Sequence, residues 1–137
     1  MKRFISIALL ISLCLCLAGC GNKTETDLWE NAIYTEDAEL GNGATTIYVD
    51  VIAEEKTVTF TINTDKDTVG DALVENKLVS GEKGAYGLYV KFVNGIEADY
   101  DKNQSYWAFT KGGESLMTGV DGEKIQADAH YELTYTK

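Results

Sequence analysis

The sequence predicts an α+β fold in which one helix packs across a mixed sheet. Apolar and polar residues alternate with a period of two in residues 47–51 and again in residues 58–62, which is typical of half-buried strands. Val69, Ala72 and Leu73 then recur at helical spacing, and further alternating runs follow. Because a hairpin precedes the helix and more strands follow it, we expect a single β-grasp-like domain.

The N-terminal residues 1–19 have the layout of a secretory signal peptide. Lys2 and Arg3 precede an apolar stretch over residues 4–17, and Cys20 follows Leu17-Ala18-Gly19. This arrangement resembles a bacterial lipobox, which implies cleavage before Cys20 and acylation of that cysteine, with palmitate as the typical fatty acid. A transmembrane helix would need about 20 apolar residues, more than this stretch supplies. We therefore expect lipid anchoring at the extracytoplasmic face of a bacterial cell membrane.

The composition of the exported chain excludes several partners. Residues 20–137 are enough for one ordinary domain. Without Lys2 and Arg3, the 12 basic residues fall to 10 against 22 acidic ones, which leaves a formal charge of −12. Such a charge argues against binding to nucleic acid or to anionic lipid, so acyl chains must supply the membrane attachment.

The cysteine and histidine content argues against catalysis. Cys14 and Cys16 lie in the signal peptide, Cys20 is the lipid site, and His130 is the only histidine. No thiol is left for a disulfide, a zinc site or a nucleophile, and we expect His130 to lie on a strand face. No spacing picks out an acid and a base, although the composition leaves an Asp/Glu pair open. We therefore predict a non-enzymatic protein.

A tether and an arm precede the predicted domain. Residues 21–27 are polar without apolar periodicity, which is typical of a short flexible linker. Residues 28–40 contain apolar residues among acids, and they predict a brief helical turn or an arm across the domain. Glycines in 41–43 then end this segment. We assign residues 20–43 to the lipidated cysteine, tether and arm, and residues 44–137 to the β-grasp domain.

The elements of the domain follow in order. Residues 53–56 form the polar loop of an antiparallel hairpin, and Asp67 or Thr68 caps the helix, which ends near residues 77–79. Gly81 and Gly84 are expected in a loop. The later strands are predicted at residues 86–93, 96–100, 106–109, 115–117 and 131–136, with turns at Asn94-Gly95, 111–114 and 119–122.

Several short motifs resemble the transcobalamin C-terminal-like domain family. They are Leu28-Trp29-Glu30-Asn31-Ala32, Leu40-Gly41, Tyr86-Gly87-Leu88-Tyr89-Val90, Val93-Asn94-Gly95-Ile96, Tyr106-Trp107-Ala108-Phe109, Gly113-Glu114 and Tyr131-Glu132-Leu133. Many bacterial members are small lipoproteins of unassigned function. In animal cobalamin carriers the related β-grasp-like domain closes over one face of the corrinoid, and a large helical domain supplies the rest of the site. The resemblance implies the fold and suggests a corrinoid-like (cobalamin-type) ligand.

Aromatic residues are the candidates for holding such a ligand. Their large apolar faces with polar tips suit a molecule that is partly apolar and partly hydrated. The candidates are Trp107, Tyr86, Tyr89, Tyr100 and Tyr106. Because aromatic residues on strands most often fill the core, each of them is also a candidate core residue.

An alternative function is the binding of a cation such as calcium. Asp99, Asp101 and Asn103 alternate as at the start of an EF-hand loop, but Gln104 and Thr110 replace the expected glycine and closing glutamate. A similar spacing occurs in residues 63–67. In so acidic a chain such spacings arise easily, so two solvated acidic loops are the default explanation.

A third alternative is a surface adhesion or assembly module for a protein or cell-wall partner. The candidate surfaces are the arm at Trp29 and Tyr34 or an unpaired sheet edge that accepts an added strand. Packing of Trp29 inside the protein is the competing explanation for the arm. Lipid anchoring also makes transfer of a captured ligand to a membrane transporter a reasonable hypothesis.

Overall fold

The structure of the protein is a computed structural model that describes residues 27–137. These residues form two open sheets and two helices. The predictions on residues 1–26, including the signal peptide, Cys20 and most of the tether, lie outside this range. The predicted α+β class is confirmed. Within the described range, none of the helices has the length and apolar character needed to cross a membrane. The elements are β1 (Ala38–Leu40), β2 (Thr45–Ala53), β3 (Lys56–Thr64), α1 (Val69–Glu75), β4 (Val79–Gly84), β5 (Gly87–Val93), β6 (Ile96–Glu97), α2 (Tyr100–Asn103), β7 (Tyr106–Lys111), β8 (Glu114–Ser115) and β9 (His130–Thr136).

The larger sheet has six strands in the order β1-β3-β2-β9-β7-β8. The hairpin of β2 and β3 is antiparallel as predicted, and β9 lies parallel to β2 beside it. Alternation places one side of each strand in the core, where Val49 is flanked by Phe60 on β3 and Tyr131 on β9. His130 points to the other face, where its exposed ring stacks on Tyr48 with 4.6 Å between centroids.

The helix α1 packs its apolar residues into the common hydrophobic core and begins as the sequence predicts. The Thr68 hydroxyl accepts a hydrogen bond from the Asp71 N–H at 3.2 Å, which caps the helix. Val69, Ala72 and Leu73 are buried. Their spacing puts them on one side of the helix, so the apolar stripe that predicted the helix also packs it.

The smaller sheet has the order β4-β5-β6 and corrects several predicted elements. Gly81 and Gly84 lie in the strand β4 rather than in a loop. The strand expected at residues 96–100 ends at Glu97, because Asp99 caps the short helix α2 by accepting the Asp101 N–H. The fold therefore has a second helix, and β1 adds a parallel strand beside β3 that alternation did not reveal.

The chain N-terminal to the sheet forms an arm that is held down at both ends. A 3-10 turn spans Leu28–Asn31, and Trp29 is only 7% exposed. Further along, Tyr34 packs edge-on against Phe60 with 5.4 Å between ring centroids. The arm that the sequence suggested is thus part of the packed structure.

Candidate functional site

A cleft opens between β5 and β7, the facing strands of the two sheets. We call it the β5/β7 cleft, and its volume is about 160 Å³. It opens to solvent, and its lining is mostly apolar. The lining residues are Leu88, Tyr89, Val90, Tyr106, Trp107, Phe109, Gly119, Val120 and Leu133.

Side chains of β7 that point to the core side form one wall of the cleft. Trp107 and Phe109 point to the core side, where they lie opposite Tyr135 and Leu133 of β9. The Trp107 indole Nε1–H donates a hydrogen bond to the Lys91 carbonyl oxygen at 3.2 Å, so this ring joins the two sheets. Because the ring is buried and its N–H group has a hydrogen-bond partner, Trp107 holds one end of the cleft in place.

The β5 wall is held in place by Asp121. Its Oδ2 accepts the Leu88 N–H at 2.9 Å. Two glycines allow this approach: a Cβ on Gly70 would lie 2.1 Å from Asp121 Oδ1, and one on Gly87, where φ is +102°, would lie 3.0 Å from the Asp121 Cβ. Because Val120 lines the cleft directly before Asp121, the same loop both lines the cleft and positions its wall.

Three of the five predicted ligand-binding residues meet at the cleft. Tyr89 and Tyr106 are 45% and 42% exposed at its rim, whereas Trp107 is buried to 7% exposure inside it. Tyr86 and Tyr100 do not line it. Tyr86 is fully exposed in the turn between β4 and β5, and Tyr100 begins α2 with 56% of its surface exposed.

The aliphatic wall and the positioning carboxylate were not predicted. Leu88, Val90 and Leu133 carry the same alternation signal as core residues, so nothing in the sequence separates a cleft wall from a filled core. Asp121 lies between glycines 119 and 122, a pattern that indicates only a turn. Its contact with Leu88 spans 33 residues of sequence.

The predicted cation ligands Asp99, Asp101 and Asn103 lie on or beside α2, where main-chain groups and a hydroxyl use an oxygen of Asp99 and the oxygen of Asn103. Asp99 Oδ1 caps α2, and Asn103 Oδ1 accepts the Ser105 N–H at 3.1 Å and also the Ser105 hydroxyl. Lys91 Nζ lies 4.0 Å from the second Asp99 oxygen. A hydrogen bond to Glu82 raises the pKa of Lys91, and the nearby Asp99 and Asp101 add to this effect.

The second acidic spacing, at residues 63–67, is also engaged in local structure. Asp65 Oδ1 accepts the Ala44 N–H at 2.8 Å, and the Asn63 amide bonds to Glu39 at 2.9 Å. Across residues 27–137, no group of three or more His, Cys, Asp and Glu side chains converges in a way that could hold a metal ion.

The architecture defines a β-grasp-like α+β domain with an open cleft between its two sheets. The chain belongs to the DUF4430 family, described as a domain of unknown function, whose family model matches residues 66–137. No curated protein sequence matches the chain.

Two solved structures are similar to this fold. One is a proposed metal-binding protein from Ruminococcus gnavus ATCC 29149, with 35% identity, a TM-score of 0.65, and coverage of 69% of this chain and 98% of that protein. The other is haptocorrin in complex with Cbi, with 20% identity and a TM-score of 0.52. That match covers 72% of this chain and only 27% of haptocorrin, and at this identity it shows the fold alone.

Proposed function

We propose that this protein is a lipid-anchored, extracytoplasmic and non-catalytic binding module for a corrinoid-like small molecule. The observation that carries the proposal is the β5/β7 cleft, which gathers Tyr89, Tyr106 and Trp107 around an apolar lining. Aromatic rims of this kind suit a flat ligand with an apolar face and polar edges. The likeness of the fold to haptocorrin supports the choice of ligand class.

The size of the cleft limits how such a ligand binds. A volume of about 160 Å³ lies below the roughly 300–1,000 Å³ of pockets that enclose a drug-sized ligand. The domain would therefore contact one face or edge of the molecule, and a second protein such as a membrane transporter would cover the rest. In haptocorrin, which was solved in complex with Cbi, the part similar to this chain makes up only about a quarter of the protein.

We expect cyanocobalamin to bind to the exported chain carrying Cys20→Ser, and the double variant Tyr89→Ala/Tyr106→Ala to bind about tenfold more weakly. A tenfold loss corresponds to roughly 1.4 kcal/mol, a reasonable value for two partly exposed aromatic contacts. Both side chains are about half exposed, so their removal should leave the fold intact. Equilibrium dialysis measures the affinity.

Tyr100→Ala is the matched control, because Tyr100 is also about half exposed but lies outside the cleft. Its affinity should equal that of the unsubstituted protein. Absence of any retention of cyanocobalamin, or an equal loss in the control, would contradict the proposed site. A circular dichroism spectrum of each variant separates a loss of ligand from a loss of fold.

Cation binding is the second candidate function, favoured by the resemblance to the proposed metal-binding protein. Its residues here would be Asp99, Asp101 and Asn103, and the local hydrogen bonds to the Asp99 and Asn103 oxygens compete with a cation. Thermal unfolding of the same protein samples distinguishes cation binding from corrinoid binding. A melting temperature that rises with calcium, falls back with chelator and does not respond in Asp101→Asn would favour the cation.

Lipid anchoring has its own test. We expect the full chain to fractionate with the membranes of a bacterial host that processes lipoproteins, and Cys20→Ser to shift it to the soluble extracytoplasmic fraction. The reason is that the −12 exported chain has no other strong attraction to lipid. Membrane retention of the variant, with the removal of residues 1–19 verified by its mass, would show that Cys20 is not the anchor.

A further inference from the structure

One edge of the larger sheet is only partly covered. The strand β8 pairs with β7 at Thr110 and Lys111 and at no earlier residue. The preceding part of β7, residues 106–109, pairs with β9 on one side alone. We call residues 106–109 the free β7 edge.

The register of β7 identifies the main-chain groups at this edge. The Gly112 N–H donates to the His130 carbonyl oxygen at 3.0 Å, and in an antiparallel ladder every second residue then bonds to the same partner strand. The residues that turn their N–H and C=O groups away from β9 are therefore Trp107 and Phe109. Within residues 27–137, the main-chain hydrogen bonds outside the strands use neither the N–H nor the C=O of Trp107, and the β8 ladder ends at the Thr110–Ser115 pair, next to Phe109.

The other strand edges are shorter or better protected. The outer strand β1 has three residues and carries Glu39, and β4 carries Glu82 and Lys83 between glycines. Charged side chains, proline and very short strands are the usual means of blocking an edge. Residues 106–109 are uncharged, and the chain contains no proline at all.

We propose that the free β7 edge accepts an extended basic strand from a partner protein. The β5/β7 cleft lies along this edge and has room for one or two side chains rather than for a whole second layer. Because side chains alternate along a strand, an added strand would place one in the cleft above Leu133 and the next outside it. Main-chain hydrogen bonds would supply affinity, and the cleft would select an apolar residue.

Charge specifies the partner as basic. The lysines nearest the cleft are already paired, Lys91 with Glu82 at 3.1 Å and Lys111 with Glu123 at 3.6 Å. The exported chain has a formal charge of −12, so it attracts cationic segments. The same charge disfavours pairing of this edge with a second copy of the chain.

The test uses an acetylated and amidated heptapeptide in which lysine and valine alternate, added to the ¹⁵N-labelled exported chain with Cys20→Ser. We expect hydrogen exchange of the Trp107 and Phe109 amides to slow at least tenfold, because an added strand bonds to them. The Ala108 and Thr110 amides already face β9 and should not change. The measurement is made at low ionic strength, because salt screens the attraction between the basic peptide and the acidic protein.

The control is the same peptide with every main-chain nitrogen methylated, which keeps its charge and removes its N–H donors. An equal response to this control, or no slowing at Trp107 and Phe109, would overturn the proposal. If exchange of the Trp107 and Phe109 amides slows with rising protein concentration in the absence of peptide, the edge pairs with a second copy of the chain, and the proposal is also overturned. Cyanocobalamin is absent throughout, so the outcome is independent of the proposed ligand.

Discussion

Replacing Asn94 with alanine is expected to lower the free energy of unfolding by at least about 3 kcal/mol. Asn94 is fully buried, and its side-chain amide forms two hydrogen bonds with the main chain of Tyr34, at 2.8 Å and 2.7 Å. Removal of the amide leaves a part-buried N–H and C=O without partners, at about 1–3 kcal/mol each. Asn94 also has a φ of +52°, which costs alanine roughly 1–2 kcal/mol more. Urea unfolding measures the difference.

Asn94→Gly separates the two causes. Glycine accepts the positive φ without strain and still lacks the amide, so its loss should be smaller than that of alanine by the strain, less the roughly 0.5–1 kcal/mol of extra backbone entropy that glycine loses on folding. The exposed Asn42 supplies the matched control, since Asn42→Ala should change the stability by less than about 0.5 kcal/mol. A loss below about 1 kcal/mol for Asn94→Ala would show that the clamp on Tyr34 adds little.

The Asn94 clamp also illustrates what the sequence could and could not predict. The Asn94-Gly95 dipeptide predicted a tight turn from local chemistry, and the turn between β5 and β6 confirms it. The side chain of Asn94 bonds to Tyr34, a residue 60 positions earlier. No local pattern contains that partner, because it depends on where the arm packs after the sheets have formed.

Strands with one buried face were predictable, and strands without a clear pattern were not. Alternation located β2, β3 and β9, because burial of every second residue is a property of each strand alone. In β4 only Val79 is buried and the other five residues are exposed, so no period of two is present. Its two glycines then favoured a loop.

The candidate site was predictable in its residue types but not in its shape. Aromatic residues on β5 and β7 were recognised, yet Tyr86 and Tyr100 have the same signal as Tyr89 and lie elsewhere. The cleft exists because β5 and β7 face each other without pairing. That relation belongs to the packing of the two sheets, which a single sequence does not encode in any local spacing.

The second large effect is expected at Trp29, where replacement by alanine should cost about 3–4 kcal/mol of stability. The indole is 7% exposed, its Nε1–H donates to the Ala53 carbonyl oxygen at 3.0 Å, and Lys56 Nζ lies 4.8 Å from the ring centroid. The variant loses the buried ring, leaves Ala53 without its partner and removes a cation–π contact. Urea unfolding again gives the size of the loss.

Two companion variants show whether Trp29 acts through its ring or its N–H group. Trp29→Phe keeps most of the apolar ring and should lose only about 1 kcal/mol, whereas Ile33→Ala, at a side chain 60% exposed, should have almost no effect. In Trp29→Ala the arm should also become accessible to limited proteolysis at residues 28–36, because this anchor to the β2–β3 turn is lost. If the arm stays resistant and the stability is unchanged, Trp29 is free for a partner instead. The structure favours the first outcome, since Trp29 is buried, hydrogen-bonded and covered by a lysine, and so fixes the start of the arm on the domain.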